Sequence, residues 1–158
     1  MHQPLQAKPV RASRISIAQL MEPEHANILG NVHGGWIMKL VDEVGALTCT
    51  RHAQRRVVTV AIDSMVFRHP VKIGDLVLLT GEVTYVGRTS LEVEVRVHTE
   101  NPMTGERHET NTAYLVYVAL DDQGRPVAVP PLLAETDEEK RKLEEGRQRQ
   151  ARRLAAKQ

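Results

Sequence analysis

A chain of 158 residues with 41% hydrophobic content has the length and apolar fraction for one domain with a buried core. Its 21 Lys and Arg against 20 Asp and Glu leave a formal charge of +1, which excludes a global field directed at nucleic acid or acidic partners. The single cysteine excludes an internal disulfide framework and suits a reducing compartment.

Residues 1–13, MHQPLQAKPVRAS, form a polar lead with no apolar secretion core, and no stretch approaches the ~18 apolar residues that span a bilayer. The expectation is a soluble, cytoplasmic protein without membrane insertion. RISIAQLM (14–21) reads as a short strand before the loop EPEHANILGN. A Gly34-Gly35 turn leads into a helix over 34–51, on which Ile37, Leu40, Val41, Val44 and Leu47 recur at helical spacing.

The period then changes. VVTVAIDSMVF (57–67) is rich in β-branched residues and precedes the turn-forming RHPVKIGD. DLVLLTGEVTYV (75–86) is a second strand of this series. SLEVEVRVHTE (90–100) alternates, with Leu91, Val93, Val95 and Val97 on a core face and Glu92, Glu94, Arg96 and His98 opposite. NPMTGERH is a hairpin turn and ETNTAYLVYVAL (109–120) its return strand, closed by DDQGRP. One strand, one long helix and four hairpin-linked strands predict an α+β fold, the helix packed on a mainly antiparallel sheet.

The tail from Ala134 opens with a capping box, Thr136 to Glu139, and pairs opposite charges at Glu138–Lys142 and Glu145–Arg149. With little apolar content beyond Leu143 and Leu154, it reads as a solvated, partly frayed helix; a contact with another subunit or a polyanion is the alternative.

Asp42 is the residue out of place. On a helical wheel it lies opposite the apolar stripe, yet its neighbours three to seven residues away are Met38, Gly45, Ala46 and Cys49, apolar or very small. A carboxylate on a covered face is costly unless it is hydrogen-bonded or acts as a base. The same wheel admits an Asp42 facing solvent beside Lys39, and periodicity leaves both open. Gly34 and Gly35 let the backbone approach a ligand, and the free N–H groups of a helix start suit a carbonyl oxygen gaining charge; a plain turn is the other reading. His33, His52, His69 and His98 lack metal-ligand spacing, and with one Cys no metal site is expected. There is no Gly-x-Ser-x-Gly elbow and no phosphate loop. Arg88, Thr89 and Ser90 in VGRTSLEV could bind phosphate at a strand junction.

Taken together, ANILGNVHGGWIMKLVDEVGALTCTRH, VVTVAIDSMVFRHPVKIGDLV and VGRTSLEVEVRVHTE resemble the hotdog-fold acyl-CoA thioesterases, in particular the brain-type cytosolic long-chain acyl-CoA hydrolases and their single-domain bacterial relatives. The resemblance spans about residues 14–130. It implies a hotdog domain over 14–133, a long helix wrapped by an antiparallel sheet, with 134–158 as a charged helical tail. It implies hydrolysis of fatty acyl-CoA to free acid and CoA without a cofactor, in a homodimer at minimum and a hexamer as a trimer of dimers. The acid of KLVDEVG points to Asp42 as general base, less readily as nucleophile, at a subunit interface. The Asn of HANI points to Asn27, across that interface, and the Gly35 N–H would polarise the thioester carbonyl. His33 and Gly34 would shape the substrate turn, and Arg88, Thr89 and Ser90 would grip the CoA nucleotide. Met38, Met65, Phe67 and Trp36 would line the acyl tunnel, with Gly45 and Ala46 leaving room for the thioester.

Two rivals remain. A non-catalytic acyl-CoA sensor would not need both Asp42 and Asn27. A hotdog dehydratase would want a His paired with an acid, for which His33 is the sole candidate.

Overall fold

The computed structural model describes residues 3–63 and 65–157. In chain order it contains β1 (Lys8–Pro9), β2 (Ile15–Leu20), α1 (Gly34–Ala53), β3 (Arg56–Ile62), β4 (Leu76–Val86), β5 (Ser90–Glu100), β6 (Arg107–Leu120), β7 (Leu132–Leu133) and α2 (Asp137–Ala156). Five strands form one antiparallel sheet in the order β2-β4-β5-β6-β3, and β1 pairs with β7 in a separate two-residue parallel ladder. The long helix α1 packs across one face and contacts all five strands. This is the hotdog arrangement that the resemblance implies.

The inner face is dry. Val41, Val44 and Cys49 of α1 have no exposed surface and meet Val77, Leu79, Val93, Val95 and Leu115 from the central strands. Alternation puts these strand residues on one side, and the helical stripe fills the groove they make. Gly81 lets α1 come close: a Cβ there would lie 2.5 Å from Thr48 Oγ1 and 2.8 Å from Val44 Cγ1. Leu47 is the exception on the stripe, being 52% exposed. The helix runs two residues past the expected end and stops where Gln54 turns left-handed at φ 55°.

The strand expected over 57–67 ends at Ile62. A bulge between Thr59 and Ala61 shifts its register on β6. Beyond it, Asp63 N–H still donates to Tyr114 O at 2.9 Å and Arg68 N–H to Thr110 O at 2.9 Å. Residue 64 of that stretch lies outside the described residues.

The tail differs most from its reading as a solvated helix. The capping box forms, Thr136 Oγ1 accepting from Glu139 N–H at 3.1 Å. But α2 lies on the outer face of the sheet, and Glu92 and Glu94, expected in solvent, are 1% and 4% exposed beneath it. Arg149 forks Glu92 through Nε at 2.9 Å and Nη2 at 2.8 Å. Arg153 Nη2 bridges Glu92 Oε2 and Asp63 Oδ2, each at 2.7 Å. Lys142 Nζ reaches Glu94 Oε1 at 3.0 Å, and Tyr114 OH donates to Glu94 Oε2 at 2.9 Å. Burial would push both carboxyls up, but these cations, with the Tyr114 hydroxyl on Glu94 and the Thr84 hydroxyl on Glu92 at 2.6 Å, hold them below the usual carboxylate range. Gly146 permits the approach, since a Cβ there would lie 2.7 Å from Tyr85 Cβ. Charge thus does on this face what apolar packing does on the other. No helix among the described residues is long and apolar enough to cross a membrane.

Candidate active site

The site forms where α1 crosses the β3 edge of the sheet. Thr59 of β3 and Tyr117 of β6 are direct cross-strand partners, so their side chains leave the same face. Both reach Asp42. Thr59 Oγ1 donates to Asp42 Oδ1 at 2.8 Å, and Tyr117 OH donates to the same oxygen at 2.9 Å while lying 3.0 Å from the Asp42 carbonyl. Among the described residues nothing hydrogen-bonds to Oδ2. Lys39 pairs with Glu43 at 2.6 Å, so the ammonium considered for Asp42 is engaged elsewhere. Asp42 is half-buried: held on one oxygen, open on the other.

Gly45 has a different task from the one expected. The space above it is taken by Tyr117: a Cβ would overlap the phenol oxygen and lie 3.0 Å from two ring carbons. Tyr117 has no exposed surface, and burial together with the adjacent Asp42 holds its phenol far above the usual range, so it stays a donor. Cys49 is fully buried and its thiol is likewise pushed up by burial.

At the helix start His33 is the N-cap, its Nδ1 accepting from Gly35 N–H at 2.9 Å. The donor expected to polarise a ligand carbonyl is therefore spent on an exposed imidazole, which must swing aside to release it. Gly34 faces Phe67, whose ring would lie 3.8 Å from a Cβ added there. Asn27 Oδ1 accepts from Leu29 N–H at 2.9 Å and Asn31 N–H at 3.3 Å, fixing the loop before α1. No hydrogen bond joins Asn27 to Asp42 within this chain. Around them Met38 and Phe67 are exposed by 45% and 42%, whereas Trp36 and Met65 pack partly against the core.

Arg88, Thr89 and Ser90 sit apart, where β4 turns into β5. The Arg88 and Thr89 carbonyls accept from Val129 and Ala119 N–H at 3.0 Å each, which fixes the turn. The Arg88 guanidinium has no carboxylate partner among the described residues. It borders an open groove of about 830 Å³ walled by Val129, Leu132 and Leu143, with Arg55 and Arg147 also on its rim. Such a site suits an anion with an apolar portion. Among the described residues no three His, Cys, Asp or Glu gather as a metal site.

Sequence reasoning missed Thr59 and Tyr117. A faint signal existed for the first, since alternation makes Thr59 the one polar residue between Val57 and Ala61 on the helix-facing side. The edge strand carrying it shows Val58, Val60 and Ile62 on the surface, 42%, 51% and 43% exposed. An unpaired apolar edge is a surface awaiting a partner.

The thioesterase superfamily model matches residues 29–106. The chain is 34% identical over 142 residues to the cytosolic acyl coenzyme A thioester hydrolase of Rattus norvegicus, which covers 89% of this chain but only 37% of that protein's length. An apo-hexameric acyl-CoA thioesterase superposes with a TM-score of 0.92 at 42% identity, covering 96% of this chain and 97% of the other. The acyl-CoA hydrolase of Staphylococcus aureus, solved with butyryl coenzyme A, coenzyme A and coenzyme A disulfide, gives 0.88 at 33% identity over 96% of this chain and 92% of its own. That hydrolase has also been solved with an aspartate, a threonine or an asparagine replaced by alanine.

Proposed function

The chain belongs to the thioesterase superfamily, among the acyl-CoA thioester hydrolases, and on that premise we propose that it hydrolyses fatty acyl-CoA to the free acid and CoA with Asp42 as general base. The observation that carries this reading is the half-held carboxylate: Oδ1 takes two hydroxyl donors while Oδ2 is open. A water on Oδ2 loses its proton to the carboxylate as its oxygen bonds to the thioester carbon. The tetrahedral intermediate then breaks at C–S, and the proton passes to the departing CoA sulfur. No cofactor is needed for these steps. The substitutions made in the Staphylococcus aureus hydrolase support the assignment, since each lies one residue further along that chain than Asp42, Thr59 and Asn27 here.

The free β3 edge supports a homodimer in which two sheets join edge to edge, covering Val58, Val60 and Ile62. In that dimer Asn27, whose amide nitrogen makes no hydrogen bond among the described residues, serves the Asp42 of the partner, and each interface holds two sites. The Gly35 N–H receives the carbonyl oxygen once His33 turns away, with Gly34 giving clearance beside Phe67. Arg88, Thr89 and Ser90 hold the CoA nucleotide. Three such dimers make a hexamer, and the apo-hexameric acyl-CoA thioesterase of the comparison supports that number of subunits. The near-neutral charge and single reduced cysteine suit the cytoplasm.

The test is thiol release from acyl-CoAs ranging from acetyl to palmitoyl. Asp42→Ala is expected to lower kcat by about 10²–10⁴-fold while CoA still binds. Binding without thiol release by the wild type would replace the hydrolase with an acyl-CoA sensor.

A further inference from the structure

We propose that Tyr117 is a positioning residue for this hydrolysis: its hydroxyl, together with that of Thr59, clamps Asp42 Oδ1 and so presents Oδ2 as the oxygen that takes the proton from water. The proposal rests on the thioester-hydrolase reading. Three observations carry it.

The first is register. Thr59 and Tyr117 face each other across β3 and β6, so two donors from different strands converge on one oxygen, at 2.8 and 2.9 Å. A carboxylate with one such donor can rotate about its Cβ–Cγ bond, whereas two fixed donors define its plane. The second is the space kept for the phenol. Gly45 has no side chain where any Cβ would overlap the Tyr117 oxygen, and the helix gives up helical propensity there to admit it. The third is that the hydroxyl has no other use. Among the described residues its two hydrogen bonds go to Asp42, the carboxylate and the carbonyl, with the Thr59 hydroxyl of the same clamp beside it, and the ring alone would fill the same core volume.

The surroundings offer Asp42 no competing clamp. On α1, Lys39 and Glu43 satisfy each other, and Cys49 is fully buried as a neutral thiol. On β3, residues 57–62 carry no ionisable side chain. On β6 the facing group is Tyr117 itself. The phenol keeps its proton throughout. The O–H that breaks is water's, and the bond that forms is from the water oxygen to the thioester carbon.

The experiment is steady-state kinetics on the best acyl-CoA of the panel for Tyr117→Phe, Thr59→Val and the double variant, with thermal melts of each. Tyr117→Phe keeps the ring and is expected to lower kcat about tenfold with KM within about twofold. The double variant is expected to lose more than the product of the two singles, because in each single variant one donor still holds Oδ1. Gly45→Ala, which keeps the phenol but crowds its oxygen, is expected to lower kcat with KM held, as Tyr117→Phe does. An unchanged kcat in folded Tyr117→Phe, or a loss expressed in KM alone, would overturn the proposal. A wild type that releases no thiol overturns the hydrolase reading and this proposal with it; an active wild type equalled by Tyr117→Phe overturns the role of Tyr117 alone.

Discussion

The two faces of one sheet are held by opposite physics. Toward α1, buried aliphatic side chains and two glycines bring helix and strands into contact, with polar groups confined to Thr48, His52 and the Asp42 cluster near the β3 edge. Toward α2, the contact is a row of buried carboxylates met by Lys142, Arg149 and Arg153. Apolar burial stabilises by about 25 cal/mol per Å² and asks for fitting volumes but not for directed partners. Buried ion pairs spend most of their attraction on desolvation and depend on every partner being present. The difference separates a face that sets global stability from one that sets where the tail lies.

The sharpest test of that division is a deletion on the dry face. Leu79 is fully buried, and Leu79→Ala is expected to cost about 2–5 kcal/mol in denaturant unfolding. Gly81→Ala adds a methyl against Thr48 and Val44 and is expected to cost about 1–3 kcal/mol by overpacking. A global loss smaller than that of removing the α2 cations would break the comparison.

On the charged face, Arg149→Ala combined with Arg153→Ala strips Glu92 of both guanidiniums and leaves it Thr84. Stranding a buried charge costs roughly 3–5 kcal/mol when it cannot escape. Here the helix can lift and let water reach Glu92, so the global loss is expected near 1–2 kcal/mol, about what the remaining contacts of α2 contribute. Amide exchange should then accelerate in α2 and stay slow in α1. Equal acceleration in both would mean that the tail is part of the cooperative core.

The same division decides what was legible in the sequence. Alternation in 90–100 and the stripe on α1 report burial directly, so β5 emerged with its observed ends and the helix within two residues. Asp42 stood out because its neighbours Gly45 and Ala46 are small. What periodicity cannot show is a polar face covered by another polar face: Glu92 and Glu94 look like solvent residues until the cations of α2 meet them. Thr59 and Tyr117 were hidden for a related reason. Their meeting at Asp42 depends on a register between strands more than fifty residues apart, and no local pattern encodes that. Gly45 carried the clue, a missing side chain opposite a large one, and was read as room for substrate.

Acid gives the mildest way to part the two faces. Glu92 and Glu94 titrate below their ordinary 4.5 because Arg149, Thr84, Arg153, Lys142 and Tyr114 favour the charged form more than burial opposes it. A carboxyl depressed in the folded state contributes its full stability above its unfolded value and loses it as pH falls through the folded value. The contact should therefore be intact at neutral pH, begin to weaken as pH drops below about 4.5, and vanish only once both carboxyls are protonated. The inner face has an acid-sensitive group of its own, since burial holds the His52 imidazole of α1 below its ordinary 6.5 and acid therefore weakens that face from about 6.5 downward. In amide exchange corrected for its intrinsic pH dependence, the further opening of α2 below about 4.5 is the part that Glu92 and Glu94 set. Replacing Glu94 by Gln should shrink the pH-dependent part of that opening, because one of the two titrating carboxyls is gone. A tail that opens at the same pH in wild type and Glu94→Gln would mean that the helix is held by something other than these charges.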